Sequence, residues 1–557
     1  MVDPITVEVI RGALEYTAEE MGIILRNSAY SANIKERMDH SCALFDHLGR
    51  MIAQAEHIPV HLGAMPVAVK QILEEFTEFH QGDMILLNDP YRGGTHLPDL
   101  TLIAPVFYKD KLIGFVANRA HHSDVGGKIP GSMPGDAEEI YEEGLIIPPV
   151  KLVNRDIINR DVLNILLSNT RTPEIRKGDI MAQIAANKIG TKRILNIVEK
   201  YGLEVFKESI DEILNYAERR MLKEIGKLPK TKVTAQDFLD DTGLEDKPIK
   251  ITVTLEITNE KIIFDFRGTD NQVKGPINAP FAVTLSACYY VLRAVTDPTI
   301  PANEGAYRPL VVKTEKGTIV DATPPYAVAG GNVETSQRIV DVLLRAFAQI
   351  IPEKVPAACQ GTMNNITIGG IDPRTGKSFT FYETVGGGFG ARYGLDGIDG
   401  IHSHMTNTMN TPIEEIEKRY PILILKYALR TDSGGAGEWR GGLGIERIYK
   451  VLCPSRLSVL GDRQKFKPWG LMGGHSGASG EYIVLRKNGY EEVLKSKDSV
   501  RLNPGDIVII RTPGGGGYGD PKKREKTKVI EDLLDGKISE KTAIEIYGLK
   551  LKDDQGF

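Results

Sequence analysis

A chain of 557 residues with 41% hydrophobic and 26% charged residues is ordinary globular material, long enough for several domains. Its net charge of −5 and pI near 6.2 give no basic face for nucleic acid, and no run of about 18 or more apolar residues is present to span a membrane. Residues 1–29 lack the apolar core of a secretion signal, and Cys42, Cys288, Cys359 and Cys453 form no Cys-x-x-Cys pair, so a reducing, cytoplasmic setting is expected.

Asp3-Pro4 is a good helix-opening pair, and the apolar spacing of Val9, Ile10, Ala13, Leu14, Met21, Ile24 and Leu25 predicts a helix over residues 5–27. Strands are expected at "CALFD", "DMILLND", "TLIAPVFY" and "KLIGFVAN", the last two joined by a Lys-Asp turn. Helical spacing returns between Thr172 and Lys227. "KITVTLEIT" and "KIIFDFRG" then alternate as a hairpin around Asn259-Glu260. Further helices are predicted at Ala282–Val295, Ser336–Ile350 and Pro412–Leu429, with two short ones between Thr527 and Tyr547. An Asn488-Gly489 hairpin turn sits in the glycine-rich final third.

Strands often follow one another without an intervening helix, which argues against a doubly wound parallel sheet. The expected class is α+β: a large multi-layer body of mixed sheets and helices, with a glycine- and strand-rich C-terminal third. Composition shifts divide it into residues 1–230, 231–430 and 431–557.

Eight of the eleven histidines fall within the first 122 residues, several beside carboxylates in "RMDHS", "AEHIPVH", "THLPD" and "HHSD". Imidazole together with carboxylate suits first-row divalent metals such as Mn, Fe or Zn. His121, His122 and Asp124 stand where the strand Lys111–Asn118 gives way to a loop, and a His-x-x-Asp there offers one nitrogen and one oxygen. "LLNDPYRGGTHLPD" presents Asp89, His96 and Asp99 after another strand, with Gly93-Gly94 allowing a tight path. Cys359, in "PAACQGT", reads as a small core residue rather than a nucleophile.

The glycine clusters "VAGGNVETSQ", "TVGGGFGARYG", "DSGGAGEWRGGLG" and "TPGGGGYGDP" match neither a phosphate-binding P-loop nor a dinucleotide fingerprint. Only "GGNVETSQRIVDVLLRAF" runs glycines into a helix, where an anion could sit. Tight turns and close backbone packing account for the others.

Taken in order, "NDPYRGGTHLPDL", "HHSDVGGKIPGSMPGDAEEIYEEGLIIPP", "GPINAP", "GGNVETSQR", "MTNTMNTPIEEIE", "DSGGAGEWRGGLG" and "PGGGGYGDP" resemble the hydantoinase B/oxoprolinase family nearly end to end. The resemblance implies the β subunit of an ATP-dependent cyclic-amide hydrolase. ATP would be bound by a separate A-type, acetate-kinase-like subunit within a hetero-oligomer, and no ATP loop would be needed here. It also implies a divalent metal held by Asp89, His121 and Asp124, with Glu143 as a fourth ligand. His122 and His96 would be acid/base or supporting groups, with Asp39 and His40 weaker candidates for the same pocket. The alternatives are a subunit of an acetone carboxylase-type enzyme, whose fourth ligand is expected to be a histidine, and a non-catalytic partner of the A-type subunit.

Overall fold

The computed structural model describes residues 2–55 and 57–550. Asp3 caps the first helix, Pro4–Ser28, by accepting hydrogen bonds from the amides of Ile5 and Thr6. Ile10, Leu14, Met21 and Leu25 form its buried face, whereas Val9 is exposed.

The first sheet has seven strands: β1 (His40–Asp46), β2 (Met51–Ala55), β3 (Met84–Leu87), β4 (Asp99–Tyr108), β5 (Lys111–His121), β6 (Val150–Asn154) and β7 (Ile157–Ile158). They lie in the order β2-β1-β5-β4-β3-β6-β7. Lys109 and Asp110, at φ 47° and 62°, turn β4 into β5 by the two-residue loop whose twist suits a hairpin. On one face lie the first helix and the long helices Pro173–Tyr201 and Leu203–Lys227, separated by Gly202 at φ 85°. Against the other face pack the helices Ala64–Glu75, Phe281–Val295 and Ser336–Ala348.

Beyond these helices lies a second sheet of β8 (Thr231–Leu239), β9 (Ile249–Ile257), β10 (Ile262–Asp265) and β11 (Leu310–Lys313). The result is helix, sheet, helix, sheet. Among the described residues, every ladder between named strands is antiparallel except that of β10 with β11. The fold is therefore of the expected mixed α+β kind.

Two more sheets fill the C-terminal part. One joins Asn365–Ile371 and Ser378–Thr384 to Ser455–Leu460 and Lys497–Leu502, and so runs across position 430. The other has five strands, with Ile422–Leu429 at its edge. That edge strand corrects the helix expected over Pro412–Leu429: the helix stops at Arg419. Pro421 cannot continue it, and the apolar run that follows pairs with Ile445–Val451 instead.

The "GGGG" at 514–517 forms no turn, and none of the four residues has positive φ. Gly514 and Gly517 donate to Ala478 and His475, Gly515 to Gly442, and Gly516 to Ala358. Bonding directions therefore repeat every three residues, as in a polyglycine helix surrounded by its neighbours. A Cβ at these four positions would stand 1.8–2.3 Å from the carbonyl oxygens of Ser433, Phe389, Trp469 and Ala436. Glycine is required here for approach, not for turning.

Candidate metal centre

β4 begins at Asp99 and β5 ends at His121, and the antiparallel register sets these two residues opposite one another. His96 arrives from the preceding loop, which is shaped by Gly93 at φ 96° and by Gly94, whose Cβ would stand 2.4 Å from the Asn88 carbonyl. A backbone bond of 3.1 Å from Asp99 N to His96 O closes the turn, bringing residues three apart to one point.

Asp99 Oδ1 lies 3.0 Å from His96 Nε2 and 3.2 Å from His121 Nδ1, while Oδ2 lies 3.4 Å from His61 Nε2. Thr95 donates to Oδ2 at 2.6 Å, and His61 Nδ1 meets the Ser41 hydroxyl at 2.9 Å. Tyr382 stacks on His121, with ring centroids 4.6 Å apart and planes 9° from parallel, and the Arg37 guanidinium lies over Tyr382 at 4.8 Å. Asp39 Oδ2 is 4.0 Å from His121 Nδ1.

His96, Asp99 and His121 are all buried, and each offers a ligand atom within 4.8 Å of the other two. His96 Nδ1 and His121 Nε2 have no hydrogen-bond partner, while His96 Nε2 faces the Asp99 carboxylate. Buried nitrogens of this kind around a carboxylate could hold a divalent cation, and their chemistry fits one. The electrostatics agree. Burial would raise the Asp99 carboxyl, but His96 and the hydrogen bonds of His121 and His61 hold it well below the usual range. Burial lowers the His121 imidazole, against the pull of Asp39 and Asp99 towards protonation. An ionised carboxylate beside a histidine that favours its neutral form is ready to bind metal.

The residues expected from the sequence divide between this cluster and other places. His96 and His121 come together here, joined by Asp99 rather than by Asp89, Asp124 or Glu143. The Asp89 side chain caps the short turn Pro90–Arg92 by accepting from Tyr91 N. Asp124 spends its oxygens on Gly126 N, Gly131 N, Arg171 N and the Arg171 guanidinium, which lies 2.9 Å away. Glu143 accepts from Val328 N and Ala329 N. His122 faces the helix Pro173–Tyr201 and meets Gln183 Oε1 at 3.0 Å, with burial pushing its ring down to about 3. The His40 ring lies tilted beside that of His57, with centroids 4.9 Å apart, and is likewise pushed down to about 3 by burial. Asp39 lines a cavity of about 20 Å³ that also touches Asp99, His121 and His61. The supporting roles of His61, Arg37 and Tyr382 carried no local signal beyond the "AEHIPVH" cluster.

Residues 3–521 match the family described as hydantoinase B/oxoprolinase. The chain is 50% identical to an uncharacterised protein of Methanocaldococcus jannaschii, over 99% of this chain and 97% of that one. It is 37% identical to a putative B-type subunit of a D-/L-hydantoinase from a Pseudomonas species, over 100% and 96% of the two chains. Relatives named 5-oxoprolinase are 37–39% identical, and the chain spans only 40–42% of their length. The ATP-dependent caprolactamase of Pseudomonas jessenii superposes with a TM-score of 0.93 at 32% identity, covering 100% of this chain and 98% of that one. A nucleotide-free acetone carboxylase shares the fold, with a TM-score of 0.90 at 20% identity over 99% and 80% of the chains. The architecture is thus that of the caprolactamase and acetone carboxylase chains. By sequence, this chain belongs to the hydantoinase B/oxoprolinase family.

Proposed function

We propose that this chain is the subunit that completes hydrolysis of a cyclic amide of hydantoin or 5-oxoproline type, after activation by ATP on a separate A-type, acetate-kinase-like subunit. The observation that carries the reading is the buried group of His96, Asp99 and His121 beside a small cavity. End-to-end likeness to a putative B-type hydantoinase subunit supports a divided enzyme, as does the lack of a P-loop in the sequence.

A divalent ion (Mn, Fe or Zn) held by these three residues would supply concentrated positive charge to polarise the oxygen of the substrate. The protein does the rest. Asp99 stays ionised, and its second oxygen is fixed by Thr95 and His61, so the carboxylate cannot rotate. Tyr382 fixes the plane of the His121 ring. Ile58, Val60, Val333 and Met363 line the cavity and keep part of its wall apolar.

Asp99→Asn should lower affinity for Mn(II) or Zn(II) by more than the roughly 10–100-fold that loss of a supporting group costs. Asp124→Ala, by contrast, should keep the metal while costing about 2–3 kcal/mol of stability, because it strands buried amides and Arg171. Metal analysis beside urea unfolding of both variants reads this. Unchanged metal in Asp99→Asn, or its loss in a folded Asp124→Ala, would show the ligand set to be wrong.

A further inference from the structure

The glycine motif at 330–336 takes no part in the ligand set, yet it reaches the same cavity. Residues Gly331–Thr335 form a π-helical turn, a rare form that concentrates at functional sites. A Cβ on Gly331 would stand 1.8 Å from the Asn278 carbonyl, so only glycine allows the turn to sit where it does. Behind the turn, Glu334 Oε1 accepts from Met363 N at 3.1 Å and from Asn365 Nδ2 at 3.0 Å. Asn365 Oδ1 in turn accepts from the Tyr382 hydroxyl at 2.9 Å, and Tyr382 stacks on His121. Hydrogen bonds as far as Tyr382, and ring stacking beyond it, therefore tie the turn to the His121 ring.

At the front of the turn stands Asn332. The residue lines the cavity with Asp39, Asp99, His121, Thr384 and Thr406. The residue is 3% exposed, and its Oδ1 has no hydrogen-bond partner within the protein. Such an oxygen is costly unless something donates to it. A cavity of about 20 Å³ has room for a single water, which needs several polar partners, and this one offers them.

We propose that Asn332 holds one water molecule in this cavity, accepting its hydrogen bond through Oδ1 and presenting it to the side formed by Asp99 and His121. The assignment rests on the hydrolytic function proposed for the chain, in which a water must be placed beside that cluster. It gives the π turn a purpose: an ordinary helical turn would aim residue 332 differently.

The full-length chain loaded with Mn(II) provides the test. Mn(II) affinity is measured by electron paramagnetic resonance, and access of water to the ion by the relaxation of solvent protons. Asn332→Leu and Asn332→Val both fill the space with methyl groups and carry no acceptor. At least one that folds by circular dichroism should bind Mn(II) as the wild type does and lose most of the relaxation enhancement. Asn332→Asp, which keeps an acceptor oxygen, should retain it. Folded Leu and Val variants with undiminished enhancement would overturn the proposal. A fall in Mn(II) affinity of more than about tenfold would also overturn it, because Asn332 would then be a ligand. If the wild type itself binds no Mn(II), the metal-site reading fails first and takes the water site with it.

Discussion

Burial acts on the carboxyl groups of Asp99 and Glu143 alike, but their neighbours lead to opposite outcomes. Three histidines surround Asp99 and keep it ionised, whereas Glu143 has two backbone amides and is pushed up to about 8 by desolvation. Glu143 therefore keeps its proton in the folded chain over a range where the unfolded chain, near 4.3, has lost it. The raised value means that its contribution is complete below the unfolded pKa. It falls as pH rises from about 4.3 to about 8, by at most about 1.4 kcal/mol per unit. Glu143→Gln keeps the acceptor for Val328 and Ala329 without the proton, so its stability should decline less across pH 5–8. Urea unfolding at several pH values measures this, and parallel curves for the two proteins would refute it. The same contrast shows how far the centre could be read from the sequence. "THLPD" and "HHSD" carry the same His-x-x-Asp spacing. Only pairing of β4 with β5, which sets Asp99 against His121, decides that the first aspartate joins the cluster while the second turns to Arg171. That pairing is a long-range fact, and local spacing does not contain it.

At the scale of elements, local chemistry served well where it dominates. The Asp3-Pro4 cap, the Lys109-Asp110 hairpin and the helices at Phe281–Val295 and Ser336–Ala348 all follow from caps, turn residues and apolar spacing. It failed at Ile422–Leu429, where an apolar run fits either form and its partner strand chose. Two glycines separate these influences in one experiment. Gly12 lies exposed in the first helix with nothing within 4 Å of where an alanine methyl would stand, so Gly12→Ala should raise stability by up to about 1 kcal/mol. Gly515→Ala would drive a methyl to 2.2 Å from the Phe389 carbonyl, in a backbone cage that cannot yield, and should cost about 3 kcal/mol or prevent folding. Thermal melting of the two variants checks both signs; a well-folded Gly515→Ala of wild-type stability would contradict this packing.

For the whole molecule, the proposed division of labour predicts that the purified chain has negligible ATPase activity, and that adding an A-type subunit gives ATP turnover dependent on a cyclic amide. Phosphate release measured for each protein alone and for the mixture decides it; brisk hydrolysis by this chain alone would end the divided-enzyme reading. The alternation of layers was foreseeable from hairpins mixed with long helices. The sheet that joins residues 365–384 to 455–502 was not, because its strands meet across a long stretch of chain that forms other structure. The polyglycine core of the C-terminal part has a thermal consequence. Its cohesion comes from amide-to-carbonyl bonds, and its glycines bury almost no hydrocarbon. Exposing apolar surface raises heat capacity on unfolding and exposing polar backbone lowers it. This core should therefore add little to the heat-capacity increment, and its grip should fade less on cooling than that of the leucine- and isoleucine-filled layers around His96, Asp99 and His121.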